Sequence, residues 1–424
     1  MGASLAPVSF LLTIYKSEPY ALVDSRQDSS SRLGVRDPAF GIRSAVSEVR
    51  SQRNCLMKTL IVPMLLVACG FGGQAQRAGP PEALDGLDPV LLIQGKEVQG
   101  KASFSSVRSD FNYLFATAEN KVTFDRDPAK YEIQLGGLCA RMGGTTGGNP
   151  SDFLVHDGKI YIFGSDDCHQ RFKASPAKYL PPASAPMPSA GDATARGAEL
   201  LAAAARAMGN VKKLDSLASY SETVTQVQQR PQGEVTITAK TLWSFPNRAR
   251  RERTMALMGK TMLSSTVMAP DGMWFVSGGG QVFPMMSASR PAMDLDFGRH
   301  PVALLRLRRA PGTRVAATGT ATIEGVRVRQ VRIVRGGLDA TIGLDDHDRI
   351  RSVSFQARHA EGQYGQYTVL YSDVRDVNGL KLPFNARALF RGEPDPSQSW
   401  TVQSVDLNPA IDAALFAPAK GPKP

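Results

Sequence analysis

The sequence predicts an α+β protein, in which a small duplicated strand–helix module is followed by a curved antiparallel β-sheet with a packed helix. Three observations support this fold class. A motif recurs at a constant offset of 48 residues, a Pro- and Ala-rich spacer occupies residues 181–192, and many strand-like runs follow one Ala-rich segment. A chain of 424 residues also exceeds what one hydrophobic core usually serves, so we expect two modules.

The composition is that of an ordinary globular protein, with 42% hydrophobic and 21% charged residues. The net charge of +11 does not by itself indicate nucleic-acid binding. The arginines are scattered through strand-like segments, where alternate side chains face solvent, and no basic cluster is interleaved with aromatic residues. We therefore expect no nucleic-acid partner.

A secretory signal is predicted over residues 57–75. Met57 and Lys58 precede an apolar run over residues 60–68, and several small residues follow it. The run is shorter than the roughly 20 residues that a membrane-spanning helix needs. Because a signal must lie near the start of translation, we expect translation to begin at Met57 and residues 1–56 to be a disordered, non-native extension.

Two cleavage sites remain open within the signal. Residues 66–69, Leu-Val-Ala-Cys, resemble the lipobox of bacterial lipoproteins, in which the cysteine carries a diacylglycerol. The resemblance implies lipidation of Cys69, a membrane anchor, and a location in the periplasm or at the outer membrane. The alternative is ordinary cleavage after Ala75, which follows other small residues.

The first module is an internal duplication. Tyr113 recurs as Tyr161 and Tyr131 as Tyr179, and seven positions are identical between the two copies. In each copy a Tyr-x-Phe strand leads to a hydroxyl residue that can cap a short helix, namely Thr117 or Ser165. The helix should bury Phe124 or Phe172, and a proline should end it or open the next turn.

These features resemble the YHS domain family, which implies the fold of that family for a module that we assign to residues 85–180. The resemblance covers about residues 87–180 and includes the run Gly-Gly-Leu-Cys-Ala at residues 136–140. Cysteine-rich relatives are linked to heavy-metal binding. That property transfers poorly, because the first copy has Ala116 and Asn120 where such relatives have cysteines.

Cys139 and Cys168 are the cysteines that remain after removal of the signal. In an oxidising compartment such a pair suggests a disulfide. The alternatives are a divalent-metal site completed by His169 and His156, or two packed free thiols. Adjacent residues on a helix point about 100° apart, which makes Cys168 and His169 an awkward pair of ligands for one metal ion.

The second module begins after the spacer, which has the extended, semi-rigid composition of a domain linker. Residues 193–208 predict a helix that Gly209 ends. Strand-like runs then alternate with turns. The clearest runs are residues 235–239, 261–268, 273–277, 326–334, 351–357 and 366–373.

Over residues 193–420 the chain resembles the outer-membrane lipoprotein carrier (LolA/LolB-like) superfamily, on the runs at residues 373–384 and 405–416. The resemblance implies an incomplete β-barrel closed by helices, which holds acyl chains or other apolar ligands. Methionines are abundant here and adapt to irregular ligands, although they equally suit a β-barrel core. The predicted pocket residues are Met258, Met268, Trp274, Phe283 and Met285.

Catalytic motifs are absent from the sequence. It has no Gly-x-Ser-x-Gly, no His-Glu-x-x-His and no phosphate-binding loop with its lysine. The run Asp-Asp-His-Asp at residues 345–348 has metal-binding residue types but fits a hairpin turn better. We therefore expect no enzymatic activity and no certain cofactor.

The sequence thus predicts a non-enzymatic, lipid-anchored envelope protein that binds a lipid or a lipoprotein acyl chain, with the first module as an accessory. Two alternatives stay open. One is a metal-binding or redox protein that acts through Cys139 and Cys168. The other is a structural envelope protein without a ligand.

The signal makes a prediction about the mature N-terminus. If Cys69 is lipidated, mass spectrometry of the native protein should find no peptide from before Met57 and should find an acylated N-terminal peptide that begins at Cys69. A Cys69→Ser variant should lose the acyl mass. Abundant peptides from residues 1–56 would contradict the assigned start, and an unmodified peptide that begins at Gln76 would favour cleavage after Ala75.

Overall fold

The computed structural model describes residues 79–417, except for residues 145, 189, 190, 231, 232, 258 and 259. The predicted extension (1–56), the signal (57–75) with Cys69, and Met258 therefore lie outside the described residues. Within the described part of the chain, no helix has both the length and the apolar character needed to cross a membrane.

The first module consists of two strand–helix units with the same order of elements. The first unit contains α1 (Pro89–Leu92), β1 (Lys101–Arg108), β2 (Phe111–Phe115), α2 (Ala118–Arg126) and α3 (Pro128–Tyr131). The second unit contains β3 (Asn149–His156), β4 (Lys159–Phe163) and α4 (Asp166–Ala174), followed by a 3-10 helix (Pro176–Lys178). From β2 to β4, and from α2 to α4, the displacement is 48 residues, the offset of the sequence repeat.

The predicted N-caps of α2 and α4 are confirmed. Thr117 Oγ1 accepts the backbone N–H of Asn120 at 3.2 Å, and Ser165 Oγ accepts that of Cys168 at 3.3 Å. Each bond satisfies one of the N–H groups that a helix start leaves without an intrahelical partner. Such a cap contributes about 1 kcal/mol to stability.

Each unit packs its helix against the two aromatic rings of the preceding strand. In the first unit the ring of Phe124 lies 4.9 Å from that of Tyr113 and 5.1 Å from that of Phe115. In the second unit Phe172 makes the corresponding contacts at 5.2 Å and 5.3 Å. Both phenylalanines are buried, as the sequence predicted.

Within its described residues the second module has two N-terminal helices, thirteen strands and two further α-helices, and a 3-10 helix (Ala413–Phe416) follows the last strand. The N-terminal helices are α5 (Gly191–Met208) and α6 (Val211–Asp215), so α5 begins inside the spacer predicted at residues 181–192. The strands are β5 (Ser219–Arg230), β6 (Gly233–Ser244), β7 (Arg248–Leu257), β8 (Lys260–Ala269), β9 (Gly272–Ser277), β10 (Val282–Pro284), β11 (Arg314–Ile323), β12 (Val326–Arg335), β13 (Leu338–Leu344), β14 (Ile350–Arg358), β15 (Tyr364–Val377), β16 (Leu380–Phe390) and β17 (Glu393–Leu407). Helices α7 (Ser289–Gly298) and α8 (Pro301–Leu307) lie between β10 and β11.

The thirteen strands form one antiparallel sheet in the order β10-β9-β8-β7-β6-β5-β17-β16-β15-β14-β13-β12-β11. Neighbours in the sheet are consecutive in the chain except at the pairing of β5 with β17, where Tyr220 lies opposite Leu407. The end strands β10 and β11 do not pair with each other, so the curved sheet is an open half-barrel. The predicted curved antiparallel sheet is confirmed, but several helices rather than one pack against it.

The main core lies between the helices and one face of this sheet. On α5 the buried residues recur at helical spacing: Gly197, Leu201, Ala204, Ala205 and Met208. The last four of these share one apolar cluster with residues of α8 and of strands on both sides of the β5–β17 pairing. The helices therefore hold the two ends of the sheet to a common core.

The segment between β10 and α7 joins the two modules. Met286 packs against the apolar cluster of the first module. Beside it, the backbone N–H and the hydroxyl of Ser287 both donate to Asp110 Oδ2 at 2.9 Å. A second contact between the modules is a hydrogen bond: Arg358 of β14 donates to the carbonyl oxygen of Arg141 at 2.7 Å.

Helix α5 makes its closest approach to the sheet at Gly197. A Cβ atom at this position would lie 2.8 Å from backbone atoms of Ala316 and Ala317 in β11. Real Cβ atoms essentially never come so close, and backbone atoms cannot rotate aside. Glycine at this position therefore sets the distance between α5 and the edge strand β11.

We expect Gly197→Ala to destabilise the protein by about 1–3 kcal/mol, because the added methyl group overpacks the contact between α5 and β11. Urea unfolding followed by circular dichroism measures this change. Gly191→Ala is the matched control: it lies on the same helix, a Cβ there meets nothing within 4 Å, and its stability should not fall. Equal stability of the two variants would contradict the close approach.

Candidate functional site

The inner face of the sheet is the side that packs against α5, α7 and α8. On β6 to β9 its core positions are Trp243, Ala249, Met268 and Met273, which are paired in register across the strands. Side chains alternate between the two faces along a strand. Every second residue from these four positions therefore points to the inner face.

Large apolar side chains continue along the inner face towards the β7–β8 turn and the β10 edge. Ile237 pairs with Met255, and Met255 pairs with Met262. Exposure is 9% at Ile237 and rises to 41% at Met262. Nearer the edge, the rings of Phe275 and Phe283 lie 6.4 Å apart, and Phe283 is 37% exposed. We call these five residues the inner apolar surface.

The predicted pocket residues are not brought together into one pocket. Met268 is 4% exposed and belongs to the core beneath the helices. Trp274 packs on the opposite, outer face of the sheet, in an apolar cluster with Phe416. Met268 pairs with Met273, so these two side chains lie on the same face of the sheet. Trp274 follows Met273 directly in the strand and therefore points to the opposite face. This placement corrects the expectation of a single pocket.

Of the other predicted pocket residues, Phe283 and Met285 both lie on the inner side. Phe283 pairs with Phe275, and Met285 packs against the main core. Met258 lies outside the described residues. The pocket prediction thus selected one residue of the inner apolar surface and passed over the methionines at positions 255 and 262.

Two of the small cavities in the described part of the second module have no predicted pocket residue in their lining. One measures about 130 Å³ and is bordered by Ser352 and Asn385; the other measures about 20 Å³ and is bordered by Met208. Pockets for drug-sized ligands typically measure roughly 300–1,000 Å³. Neither cavity could enclose a long acyl chain without movement of the surrounding segments.

A half-exposed ion pair fastens α7 to the sheet. Arg251 Nη1, on β7, donates to Asp296 Oδ2 at 2.7 Å, and its guanidinium lies 4.8 Å from the ring centre of Phe297. Partial burial opposes the charge of Asp296, but Arg251 outweighs that effect and lowers the pKa of the carboxyl. The carboxylate side chain is 50% exposed, so solvent screens this attachment.

A buried contact fastens the start of α8. His300, its N-cap, places Nε2 3.2 Å from Glu222 Oε2 on β5, and the Tyr220 hydroxyl donates to the same oxygen at 2.8 Å. Burial alone would raise the pKa of Glu222, but the charge and hydrogen bond of His300, together with Tyr220, lower it. With only 9% of the Glu222 side chain exposed, this attachment is shielded from solvent.

The sequence analysis missed the four residues of these two attachments: Glu222, Arg251, Asp296 and His300. They are far apart in the chain and form no motif. One signal was available, because Glu222 occupies a core-facing position between Tyr220 and Val224 on an alternating strand. A charged residue at such a position needs a buried partner.

Cys139 and Cys168 are both buried free thiols, and they pack in one apolar cluster. The side chains are adjacent, as the disulfide prediction required, but the bond between them is not formed. His169 does not join them, since its Nδ1 lies 2.5 Å from Asp152 Oδ1 and its ring stacks on Phe163. The structure therefore has a pair of thiols without a third ligand from His169.

The described part of the chain contains no set of side chains that could form the alternative metal site. Nowhere in residues 79–417, with their gaps, do three or more His, Cys, Asp or Glu side chains gather as a metal site would require. His156 instead packs edge-on to the ring of Phe172. The Asp345 carboxylate accepts the N–H groups of His347 and Arg349, as in the hairpin turn that the sequence predicted.

Comparisons with known proteins give partial similarities of fold. No protein-family model matches the chain, so the YHS resemblance has no support from one, and no curated protein matches either. Similar solved structures include a domain of an outer membrane lipoprotein-sorting protein from Vibrio parahaemolyticus, with 10% identity over 53% of this chain and 97% of that one, at a TM-score of 0.35.

Two others are a DUF1329 family protein from Desulfovibrio piger and a LolA superfamily protein from Nitrosomonas europaea. The first has 12% identity over 53% of this chain and 97% of its own, at a TM-score of 0.35. The second has 11% identity over 50% of this chain and 97% of its own, at a TM-score of 0.34. These similarities fall on the C-terminal half of the chain.

The contact between Glu222 and His300 makes a prediction about stability and pH. The folded pKa of Glu222 is lowered, so its contribution is present above the unfolded value of about 4.3 and is lost as pH falls through the folded value. We expect Glu222→Gln to lower the free energy of unfolding by about 1–3 kcal/mol at pH 7 and by less at pH 3.5. Urea unfolding at both pH values measures the difference.

Glu393→Gln is the control for this measurement, because Glu393 is an exposed strand residue. Its stability should follow that of the unmodified protein at both pH values. A Glu222→Gln effect that grows on acidification would contradict the assigned role of the carboxylate.

Proposed function

We propose that the second module is a non-enzymatic binding domain of the cell envelope, which takes a hydrophobic ligand such as a lipid or the acyl chain of a lipoprotein. The proposal rests on the inner apolar surface. Met262 and Phe283 point to the helix-facing side of an open half-barrel and yet remain 41% and 37% exposed. Apolar groups left open on the inner side of a curved sheet are suited to a ligand rather than to solvent.

The ligand would enter between the sheet and α7. The Arg251–Asp296 pair of α7 is screened by solvent, whereas the Glu222–His300 contact of α8 is buried. Arg290 of α7 also donates to the carbonyl oxygens of Ala269 and Asn247. In this proposal α7 would move away from β7, which would release these contacts, while α8 keeps its place in the core. Such a movement would join the inner apolar surface to new space beneath the helix.

The chemistry of the inner apolar surface fits a flexible chain better than a rigid, polar molecule. Met255 and Met262 are unbranched and adapt their shape to irregular apolar partners. Full burial of one such side chain contributes about 1.5–3 kcal/mol.

The first module would serve as an accessory to this binding domain. Met286 packs against its apolar cluster, and Asp110 accepts two hydrogen bonds from Ser287. Both residues belong to the short segment that leads into α7. The first module would thus hold one end of the helix that must move when a ligand enters.

Export and anchoring complete the proposal. The signal over residues 57–75 would direct the chain to the periplasm, and lipidation of Cys69 would hold it at the outer membrane. A membrane-bound carrier of this kind would meet lipids and lipoproteins at the surface where they reside.

The inner apolar surface makes a prediction about ligand binding. We expect purified protein to bind a fluorescent fatty acid, and Met262→Glu and Phe283→Glu each to weaken the affinity by about 10-fold or more. The reason is that each change places a charge where an apolar contact of about 1.5–3 kcal/mol is expected. Fluorescence titration gives the dissociation constants.

Leu263→Glu is the matched control for these variants. Leu263 adjoins Met262 on β8 and is 50% exposed, but it points to the outer face. Its affinity should equal that of the unmodified protein. Equal losses in all three variants, or no binding of fatty acid at all, would contradict the proposal, and native mass spectrometry that shows neither lipid nor metal would favour a purely structural role.

A further inference from the structure

Two thiols from different parts of the first module meet beside α4. Cys139 follows the link between the two units, and Cys168 lies in the first turn of α4. The two cysteines pack in one apolar cluster although 28 residues separate them in the chain. Two free thiols in contact are the reduced form of a dithiol–disulfide pair.

The surroundings of the two sulfur atoms are unequal. Arg141 Nη1 lies 3.7 Å from Cys168 Sγ and also pairs with Asp167 at 3.5 Å. The Cys139 sulfur accepts the backbone N–H of Met142 at 3.5 Å, and the Arg358 guanidinium of β14 interacts with Cys139 electrostatically. Cys168 is 6% exposed on a helix turn whose neighbouring residues are exposed, whereas Cys139 is 0% exposed.

These differences favour Cys168 as the thiolate. The hydrogen bond from the Cys139 thiol is the main cause that lowers the pKa of Cys168, and Ser165 and Arg141 add to it against the effect of burial. The same hydrogen bond, with burial, raises the pKa of Cys139. A thiolate beside a cation is the nucleophile in thiol–disulfide chemistry, and a protonated thiol next to it can complete the exchange.

We propose that Cys139 and Cys168 form a redox-active dithiol, in which Cys168 attacks a disulfide of a small thiol compound or of a protein and Cys139 resolves the product. The structure supports this site with the contact between the thiols, the Arg141 guanidinium beside Cys168, and the deeper burial of Cys139. The site lies in the first module and is independent of ligand binding by the half-barrel.

The reaction balances in two steps. The Cys168 thiolate forms a bond to one sulfur of the external disulfide, and the other sulfur leaves as a thiolate. Cys139 then loses its proton to solvent and attacks Cys168 Sγ, which forms the internal disulfide and expels the second external thiolate. The external disulfide is reduced by two electrons, and the dithiol is oxidised by two.

The test is trapping of the first intermediate. Protein with Cys139→Ser is incubated with oxidised glutathione and analysed by intact mass. We expect one glutathione per chain, attached at Cys168, because the resolving thiol is gone. The Cys168→Ser variant should take up at least 10-fold less, since Cys139 is fully buried and protonated. Circular dichroism establishes that both variants are folded.

The unmodified protein provides a test that does not depend on either variant. With oxidised glutathione it should lose two hydrogen atoms in mass and its two reactive thiols, without retaining glutathione. Protein that stays reduced, or that retains glutathione equally on both cysteines, would overturn the proposal. Equal trapping in Cys139→Ser and Cys168→Ser would overturn the assigned roles.

Arg141 offers a second measurement. The rate of alkylation of Cys168 by iodoacetamide should rise with pH around a midpoint below the value of about 8.5 for a free cysteine. Arg141→Gln should move that midpoint upward, and Arg141→Lys should restore part of the shift because it keeps the positive charge. Arg171→Gln is the control. Arg171 lies on α4 together with Cys168, and its guanidinium pairs with Asp167. An unchanged midpoint in Arg141→Gln would contradict the role of the guanidinium.

Discussion

The structure of the second module depends on one constraint: an open sheet with a large apolar face must have that face covered. Thirteen antiparallel strands curve without closing, and the unpaired end strands leave the barrel incomplete. Helices α5, α7 and α8 supply the missing cover by burying their apolar residues against the inner face. The positions of these helices decide which inner-face residues are covered and which stay exposed. They also place the two ion pairs that hold α7 and α8 to the sheet.

The two edges of the sheet are protected in different ways. Strand β11 lies under α5, which approaches closely because Gly197 has no side chain. Strand β10 has only three residues and ends in Pro284, which cannot donate a hydrogen bond to a further strand. The inner apolar surface extends to the β10 side, where the proposed ligand would enter.

The first module is coupled to this side of the half-barrel. Its repeated units each bury a phenylalanine between strand and helix, yet the module differs between the units at the sites that carry chemistry. Asn120 occupies the first copy at the position where the second copy has Cys168, and the Asn120 side chain donates to Asp88 at 2.7 Å. The two units therefore share their packing, while only the second has a thiol at this position, in one apolar cluster with Cys139.

Several elements of the fold were predictable from the sequence because their causes are local. The offset of 48 residues, the hydroxyl caps at Thr117 and Ser165, and the alternation of the strands all depend on residues close together in the chain. The antiparallel sheet of the second module followed from such local signals. For Cys139 and Cys168 the sequence left a disulfide, a metal site and packed free thiols open, and the structure has them as free thiols in one apolar cluster.

The site of the second module depended on tertiary structure, for a physical reason. Which face of a strand is inner is decided by the helices that pack on it, and a shift of one residue moves a side chain to the other face. Trp274 therefore lies on the outer face, outside the predicted pocket, whereas Met255 and Met262 belong to the inner apolar surface. The pairing of Glu222 with His300 across 78 residues likewise has no local cause. The sequence determined many of the helices and strands because their causes are local, and only the packing of distant segments decided which side chains meet.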